Sequence, residues 1–323
     1  MQRSPYNAHM STLLLIKTSS LGDVIHALPA VTDLARFHPE VAIDWLVEES
    51  FKEIPALHNH VQQVQTIALR RWRHHWLTIA TWQEFFHRLQ TIRHTPYDLS
   101  VDCQGLIKSA LIARLLPGTR HGFDRDSIRE PLASFCYQST HRVSRELHAV
   151  ERNRQLLAQV FGYTPPHEVD YGIKAPALFT TQRPAAKYVV FLHATSRASK
   201  EWPVENWIDL GRQLALHGLS ILLPSGNAKE QQRAQLIAGQ INGAHALPKS
   251  SLTTLASLLQ EAEFVVGVDT GLTHLAVALK QKVIAIYTDT DPEATGVYGS
   301  KLATNVGGIG MMPEVSSILN LCL

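Results

Sequence analysis

Few cysteines and no long apolar run occur in this sequence, and both absences exclude classes of protein. Cys103, Cys136 and Cys322 lie far apart among 323 residues, which favours neither a disulfide framework nor a thiolate zinc site. No segment reaches ~18 uninterrupted apolar residues, and the first ten residues hold no apolar region of a secretion signal. We therefore expect a protein of the reducing cytoplasm that is neither secreted nor membrane-spanning.

An excess of one charge is also missing. Thirty Lys and Arg against 28 Asp and Glu leave a net charge of +2, so the chain as a whole does not indicate nucleic-acid binding. With 45% hydrophobic and 18% charged residues, the composition excludes disordered and coiled-coil chains. The length predicts about two domains, each with its own core.

The common dinucleotide and phosphate-loop signatures do not occur. No G-x-G-x-x-G follows the first apolar run and no G-x-x-x-x-G-K-[ST] is present, which removes the main support for a Rossmann dehydrogenase or a P-loop protein. The tripeptide Asp269-Thr270-Gly271 matches aspartic proteases, in which two carboxylates share a proton. A second D-[ST]-G is absent, and helical periodicity follows Gly271, so this sequence does not predict a protease.

Two D-x-D triplets, Asp124–Asp126 and Asp289–Asp291, have a spacing that can bind a divalent metal ion. Two carboxylates two positions apart are common by chance, and Pro292 follows the second triplet in what reads as a turn. We predict that both triplets lie in loops and bind no metal ion.

Short apolar runs alternate with longer amphipathic stretches, which predicts an α/β fold with parallel, doubly wound sheets. Strands are predicted at 13–16, 42–47, 64–69, 99–101, 188–192, 220–223, 264–268 and 283–287. Helices are predicted at 81–92, 106–116, 204–217, 228–241, 252–259, 272–279 and 314–321. A helical stretch also follows the first strand, and Pro29 should kink it or begin a new turn.

A proline-containing linker over 173–187 separates two such halves. We place an N-terminal domain at 11–178 and a C-terminal domain at 179–323, and leave residues 1–9 outside the fold. The last helix can return to the N-terminal domain in such an arrangement.

The loop from Val268 to His274 joins a buried strand to a helix. Gly271 lets the backbone approach a ligand closely, and the first N–H groups of the helix can point at an anion such as a pyrophosphate. His274, one turn into the helix, can face the same ligand. The alternative is structural: Asp269 or Thr270 caps the helix and His274 packs.

Three segments occur in order along the chain: KTSSLGDVIHALPA at 17–30, HATSRASKEWP at 193–203 and VDTGLTH at 268–274. Together they resemble the bacterial lipopolysaccharide heptosyltransferases, over residues 11 to about 300. The pattern is most similar to the members that add the first heptose to Kdo2-lipid A.

This resemblance implies a GT-B glycosyltransferase, with two Rossmann-like domains that face a central cleft. The N-terminal domain would bind the Kdo2-lipid A acceptor and the C-terminal domain the donor, ADP-heptose, in an inverting reaction that needs no metal ion and no cofactor. By motif position, Asp23 would be the general base for the acceptor hydroxyl. The alternative for Asp23 is a residue that interacts with the helix dipole.

The resemblance also assigns the donor site. Lys200 would stabilise the departing diphosphate. The donor-binding set is Thr195, Ser196, Lys200, Glu230, Asp269, Thr270, Gly271 and His274. Ala198 and Ser199 stand where more acidic residues are expected, and Ser250 replaces an expected apolar residue near the adenine, so the preference for the donor base stays open.

The acceptor site would use a basic and aromatic segment at 70–76. The acceptor-binding set is Ser20, Gly22, Arg70, Arg71, Arg73 and Arg120, and Lys108 can join it. Guanidinium groups suit phosphates and carboxylates, and Trp72 or Trp76 can rest at lipid headgroups. We expect a monomer, peripheral on the cytoplasmic face of the inner membrane; the alternative for this segment is a plain solvated loop.

Three other functions stay open from the sequence. A later heptosyltransferase of the core would share all three segments. A non-catalytic nucleotide-sugar-binding protein would keep the donor loops without a use for Asp23, and a nicotinamide-dependent oxidoreductase would show a change of absorbance.

Overall fold

Two α/β units divide the chain, Met1–Ile173 and Lys174–Leu323. The computed structural model describes residues 11–177 and 187–323. The predicted boundary at 178/179, most of the predicted linker and residues 1–9 lie outside the described residues. The acceptor and donor roles of the two domains stay predictions.

The first unit is built on six parallel strands. They are β1 (Thr12–Ile16), β2 (Ala42–Glu48), β3 (Val61–Ile67), β4 (Leu99–Asp102), β5 (Thr119–Phe123) and β6 (Ser139–His141). Their order in the sheet is β3-β2-β1-β4-β5-β6. The helices are α1 (Leu21–Ile25), α2 (Leu28–Phe37), α3 (Glu53–Ala56), α4 (Leu69–His74), α5 (Ile79–Arg93), α6 (Ile107–Leu115) and α7 (Ala149–Phe161), with 3-10 turns at Glu49–Phe51 and Pro131–Cys136.

The second unit repeats this plan. Its strands are β7 (Tyr188–Leu192), β8 (Ser220–Leu223), β9 (Ala244–Ala246), β10 (Val265–Val268), β11 (Val283–Tyr287) and β12 (Ala303–Gly307), in the parallel order β12-β11-β10-β7-β8-β9. Its helices are α8 (Val204–Leu216), α9 (Ala228–Ala238), α10 (Leu252–Gln260), α11 (Gly271–Ala278), α12 (Pro292–Thr295) and α13 (Val315–Cys322), with a 3-10 turn at Ala198–Lys200.

Strands that are buried on both faces explain these sheets. The last four residues of β1, LLLI, are buried, and so are all seven residues of β2. Such strands need a layer of helices on each face, and the helices serve as the crossovers that parallel strands require. Leu89 of α5 and Ile112 of α6 share one core with Leu14 and Ile16 of β1, so α5 and α6 cover the same face of the sheet.

Each sheet reverses its strand order next to its first strand. In the first unit β1 lies between β2 and β4, and in the second unit β7 lies between β8 and β10. Loops that leave two such neighbouring strands diverge, which leaves room for a ligand at the carboxyl ends of the strands. These two switch points are where the predicted motifs fall.

Two local predictions have a clear outcome. Pro29 begins a new helix: α1 ends at Ile25, and Pro29 lies in the first turn of α2, where a missing N–H costs no hydrogen bond. The strand predicted to reach Leu69 ends at Ile67 instead, and α4 begins at Leu69. The side chain of Glu48 accepts a hydrogen bond from the N–H of Arg70, which satisfies a donor at the start of that helix.

The end of the chain belongs to the second unit. Helix α13 begins one residue after its predicted start, and Ile318 and Cys322 on its inner face are buried in the core under α8. Before it, Gly307 has a φ of 85°, and a Cβ there would lie 2.2 Å from the carbonyl oxygen of Tyr287, so the turn after β12 requires glycine. Among the described residues, no helix is both long and apolar enough to cross a membrane.

Candidate active site

The loops that follow β7 and β10 meet at the switch point of the second unit. The β7 loop carries Thr195 and Lys200, and the β10 loop carries Asp269. The hydroxyl of Thr195 donates to the backbone oxygen of Asp269 at 2.8 Å. This bond joins residues 74 positions apart in the chain, so two of the three recognised segments form one site.

Asp269 is the centre of this site. Its Oδ2 accepts hydrogen bonds from Lys200 Nζ at 2.6 Å and from the hydroxyl of Thr290 at 2.8 Å. His274 Nε2 lies 3.8 Å from its Oδ1. Lys200 and Asp269 are both largely buried. An ammonium group is thus held in place before any ligand arrives.

The charge of Asp269 is fixed by these neighbours. Burial alone would raise the pKa of its carboxyl, but His274, Lys200 and Thr290, together with the positive charge of Lys200, outweigh that effect and hold the pKa well below its usual range. Asp269 is therefore ionised across the physiological range, and Lys200 faces a permanent counter-charge.

The helix-capping interpretation of the D-T-G loop does not describe this geometry. Thr270 stands at the N-cap of α11 without a side-chain hydrogen bond to the helix, and the Asp269 carboxylate accepts hydrogen bonds from Lys200 and Thr290. His274 does pack, since it is buried, and it faces Asp269 as well. The start of α11 thus keeps backbone N–H groups beside a lysine, which suits an anion.

Two further hydrogen bonds position the turn that carries Lys200. Ser199 donates to Asp289 at 2.6 Å, and the backbone oxygen of Ser199 accepts from the hydroxyl of Thr288 at 2.8 Å. Ser199, noted as a departure from the family pattern, therefore helps to fix its neighbour. In the same D-x-D triplet Asp291 caps α12, which confirms the turn prediction there.

Trp202, two residues after Lys200, anchors this turn to the core. Trp202 is fully buried, and its indole N–H donates to the backbone oxygen of Pro313 at 3.0 Å. Its backbone oxygen accepts a hydrogen bond from Arg233 at 2.5 Å. The segment before α13 is thus part of the support of Lys200.

A cavity of about 470 Å³ adjoins the switch point on the side of β8. Its lining residues are Ala194, Thr195, Ser196, Glu201, Val204, Asn227, Lys229, Glu230, Gln232, Arg233 and Leu236. The structure thus brings Thr195, Ser196 and Glu230 together. Glu230 takes part in a cap of α9: its carboxylate accepts from the N–H of Gly226 at 2.7 Å and from the amide of Asn227 at 2.6 Å.

The loop from Lys17 to Asp23 follows β1 and lies at the switch point of the first unit. Gln104, just after the neighbouring strand β4, holds it: one oxygen, Oε1, accepts from the N–H groups of Thr18 and Ser19, both at 3.0 Å. The buried carboxylate of Asp102 in turn accepts from the N–H of Gln104 at 2.7 Å. Sequence reasoning missed Gln104.

Asp23 lies in the first turn of α1, partly exposed. Its Oδ2 accepts from the N–H of Ser20 at 2.6 Å and from the hydroxyl of Ser20 at 2.9 Å. Within residues 11–177 and 187–323, both hydrogen bonds to this carboxylate are made to Oδ2. The helix-terminus alternative is therefore present in the structure, and it leaves Oδ1 available for a proton.

Three of the predicted acceptor arginines lie at the same edge of the first sheet as this loop, because α4 begins where β3 ends. Arg73 is exposed, and Arg70 lies over the ring of Phe51 at 4.7 Å. Arg71 already binds Glu84 at 2.8 Å and Glu49 at 3.0 Å. An anionic acceptor would therefore find Arg70 and Arg73 less engaged than Arg71.

The structure does not bring Arg120 to this edge. It is the second residue of β5, paired with Ser100 near the start of β4, so it lies towards the opposite end of the strands from Asp23. Its Nε donates to the backbone oxygen of Cys136 at 3.0 Å. Trp72 also differs from expectation: it is buried and donates to Glu84 at 3.0 Å. It therefore cannot rest at lipid headgroups, whereas Trp76 is 60% exposed.

Two doubly wound parallel sheets, with a preorganised cation beside a helix N-terminus at the switch point of the second, are the features expected of a glycosyltransferase of the GT-B class. Comparison with known proteins makes this specific. Residues 86–319 match Glycosyltransferase family 9 (heptosyltransferase). The chain therefore belongs to glycosyltransferase family 9, the heptosyltransferases.

Relatives and solved structures agree with this assignment. The chain is 44% identical over 289 residues to lipopolysaccharide heptosyltransferase 1 of Escherichia coli K12, covering 89% of this chain and 91% of the relative. It is 46% identical over 292 residues to lipopolysaccharide heptosyltransferase 1 of Pseudomonas aeruginosa, covering 89% and 81%. The structure of E. coli heptosyltransferase WaaC with ADP superimposes with a TM-score of 0.89 at 39% identity, covering 96% of this chain and 98% of that one. The predictions of the GT-B fold and of the family are confirmed.

Proposed function

We propose that this protein transfers L-glycero-D-manno-heptose from ADP-heptose to the Kdo region of Kdo2-lipid A, in the assembly of the lipopolysaccharide inner core. The similarity along most of the chain to two proteins named lipopolysaccharide heptosyltransferase 1 carries this proposal. The charged cluster around Asp269 supports it, since it suits the diphosphate of a nucleotide sugar.

The reaction is a direct displacement at the anomeric carbon. The acceptor hydroxyl attacks that carbon, the bond to the diphosphate oxygen breaks with inversion, and ADP leaves. Asp23 takes the proton of the attacking hydroxyl on Oδ1, while Ser20 holds Oδ2 and orients the carboxylate. Base catalysis of this kind contributes ~10²–10⁴-fold in rate.

Lys200 stabilises the charge that develops on the leaving diphosphate. The carboxylate of Asp269 would repel the phosphates, so we do not place it in contact with them. It orients the ammonium group instead, and the N–H groups at the start of α11, around Thr270 and Gly271, complete the anion site. With these groups in place we propose a reaction without a metal ion.

The cavity beside β8 takes the nucleoside. Glu230 accepts hydrogen bonds from ribose hydroxyls there, after exchange with those of its own helix cap. Ser196 and Thr195 lie between the cavity and the charged cluster. On the acceptor side, Ser20, Gly22, Arg70 and Arg73 contact the Kdo and phosphate groups at the cytoplasmic face of the inner membrane.

A panel of acceptors tests the proposal with labelled ADP-heptose. We expect transfer to Kdo2-lipid A, and none to lipid A without Kdo. Transfer only to an acceptor that already carries the first heptose would replace the proposal with a later step of the core. Binding of ADP-heptose without any transfer would indicate a non-catalytic binding protein.

A further inference from the structure

An exposed apolar surface lies on the first unit. It consists of five large side chains between the end of α4 and the middle of α5, each 49% to 78% exposed: Trp76, Leu77, Ile79, Trp82 and Phe86. We call these residues the aromatic face. Trp82 adjoins two of the others, since its indole N–H donates to the backbone oxygen of Trp76 at 2.8 Å and its ring lies 6.1 Å from that of Phe86. Scattered exposed apolar residues are ordinary, whereas contiguous groups mark interaction sites.

Helix α5 is apolar on two sides. Leu89 and Ile92 face the core, and Phe85 packs against it with its ring 5.5 Å from that of Trp72. Ile79, Trp82 and Phe86 recur at intervals of three and four on the outer side, which is the spacing of a single helical stripe. A helix on the surface of a sheet needs only its inner stripe, so folding of this unit does not account for the outer one.

The same layer continues across α6. Its inner residues Ile112 and Ala113 share a core with those of α5, and its outer stripe of Ile107, Leu111 and Leu115 is 40% to 51% exposed. Exposed Lys108 lies beside this stripe. The first unit therefore presents two exposed apolar stripes, on α5 and α6, with a basic residue beside the second.

Charge decides which partner fits this face. Residues 69–94 contain five arginines and one glutamate, Glu84, so this segment carries +4 while the whole chain carries +2. The rest of the chain is therefore net negative. Hydrogen bonds from Arg71, Trp72 and Arg88 hold the pKa of Glu84 well below its usual range, which keeps it engaged with those arginines, while Arg73 and Arg93 are exposed.

A second copy of this chain is a poor partner for the aromatic face, because a symmetric dimer would bring two +4 segments together. An anionic bilayer suits it on both counts. Arginines are attracted to acidic headgroups, and indole rings favour the boundary between headgroups and acyl chains.

We propose that the aromatic face binds the surface of an anionic phospholipid bilayer, with Trp76, Trp82 and Phe86 inserted at the headgroup boundary and Arg73 and Arg93 at the phosphates. Only the purpose of this binding rests on the proposed function: it would hold the enzyme where a lipid-linked acceptor lies. It needs neither donor nor acceptor, so it can be tested without turnover.

The distribution of tryptophans provides a direct measurement. Of the six tryptophans, Trp45, Trp72, Trp202 and Trp207 are at most 5% exposed. Vesicles of about one third phosphatidylglycerol and two thirds phosphatidylcholine, with brominated acyl chains, should therefore quench only Trp76 and Trp82. We expect quenching that the Trp76→Phe/Trp82→Phe variant loses while it still binds the vesicles. Binding without any quenching of the unaltered protein would overturn the insertion of these residues.

Co-sedimentation with the same vesicles tests the surface as a whole. Trp82→Ser/Phe86→Ser should weaken binding at least about tenfold, and Arg73→Gln/Arg93→Gln should weaken it and reduce its dependence on salt. The matched control, Leu216→Ser/Leu302→Ser, removes exposed leucines of the second unit and should bind as the unaltered protein does. Circular dichroism checks that each variant is folded.

Equal binding by the control and by Trp82→Ser/Phe86→Ser would overturn the proposal, and so would equal binding to pure phosphatidylcholine vesicles. Sedimentation velocity covers the other occupant: a dimer that Trp82→Ser/Phe86→Ser abolishes, without vesicle binding, would assign the face to a second copy. Vesicle binding by a protein that transfers no heptose would reject the proposed function and leave the surface standing.

Discussion

The two switch points of this molecule have the same backbone plan and opposite chemistry. Beside β7 and β10, an ionised aspartate and a lysine form a largely buried pair at 2.6 Å. Beside β1 and β4, the loop before Asp23 is held by the neutral amide of Gln104. The difference indicates a division of labour: fixed charge at the second switch point can hold an anion, whereas hydrogen bonds to a neutral amide position the loop that leads to Asp23 at the first.

Among the changes that test this comparison, removal of the proposed base should lower kcat most. Asp23→Asn keeps the shape of the side chain and its capping oxygen, so we expect kcat to fall ~10²–10⁴-fold while the Kd for ADP-heptose stays the same. Steady-state kinetics and calorimetry measure the two quantities.

Ser20→Ala is the control for this prediction. It removes one hydrogen bond to Asp23 Oδ2 and leaves the carboxylate. Because Ser20 is also proposed to contact the acceptor, kcat is compared at saturating acceptor. A fall in kcat as large as that of Asp23→Asn would show that helix capping, and not proton transfer, explains the effect.

The second largest effect should come from Lys200→Met. The loss of one group that stabilises the leaving diphosphate is expected to lower kcat by ~10²–10³-fold, and binding of ADP should weaken as well. Stopped assays and calorimetry with ADP test this. If Lys200→Met binds ADP as tightly as before, the anion is not held at the second switch point.

Gln104→Leu should lower kcat less, and it tests how the loop at the first switch point is held. Without its Oε1, the N–H groups of Thr18 and Ser19 lose their acceptor and the Asp23 loop shifts. We expect a fall of about tenfold in kcat at unchanged donor affinity, since small misplacements of a catalytic group slow the reaction without weakening remote contacts.

Gln104→Glu separates positioning from general loss of structure. A carboxylate can accept the same two N–H bonds, so this variant should retain more activity than Gln104→Leu at pH 7. If the two variants are equally impaired, hydrogen bonding to the loop is not the role of Gln104.

The smallest effect concerns stability and pH. The folded pKa of Asp269 lies below its unfolded value of 3.8, so its ionised form stabilises the fold above that pH, and this contribution is lost as pH falls through the folded pKa. We expect Asp269→Asn to lower the free energy of unfolding by about 1–3 kcal/mol at pH 6 and by less near pH 3. Urea titrations at both pH values measure it; a difference that does not shrink on acidification would contradict the role of charge.

The sequence predicted the parts of this fold that depend on local pattern. The strands at 188–192, 220–223 and 283–287 match β7, β8 and β11 residue for residue, because continuous apolar runs between turn residues suit buried parallel strands. Strands β6 and β9 were not predicted. Each has three residues, is partly exposed and carries no such run. Helix ends differed by up to three residues, as in α9, where the amphipathic pattern continues past Ala238.

The candidate site divides in the same way. The family resemblance placed the β7 and β10 loops in one donor site, but the sequence did not indicate the contacts that Thr290 and Gln104 make. Thr290 and Gln104 touch the site only because β11 lies beside β10 and β4 beside β1, and that neighbour relation is a property of sheet order. The burial of Trp72 has a similar cause, since its helix turns it onto the core shared with Leu89.

Trp202 gives the far end of the chain a part in the chemistry. Its bond to Pro313 spans 111 positions, and it stands two residues after Lys200, which is proposed to bind the diphosphate. A chain shortened before Pro313 would lose this hydrogen bond even if the rest of the sheet formed. We therefore expect it to bind the leaving nucleotide more weakly. The support of Lys200 therefore depends on a contact between segments that are distant in the sequence.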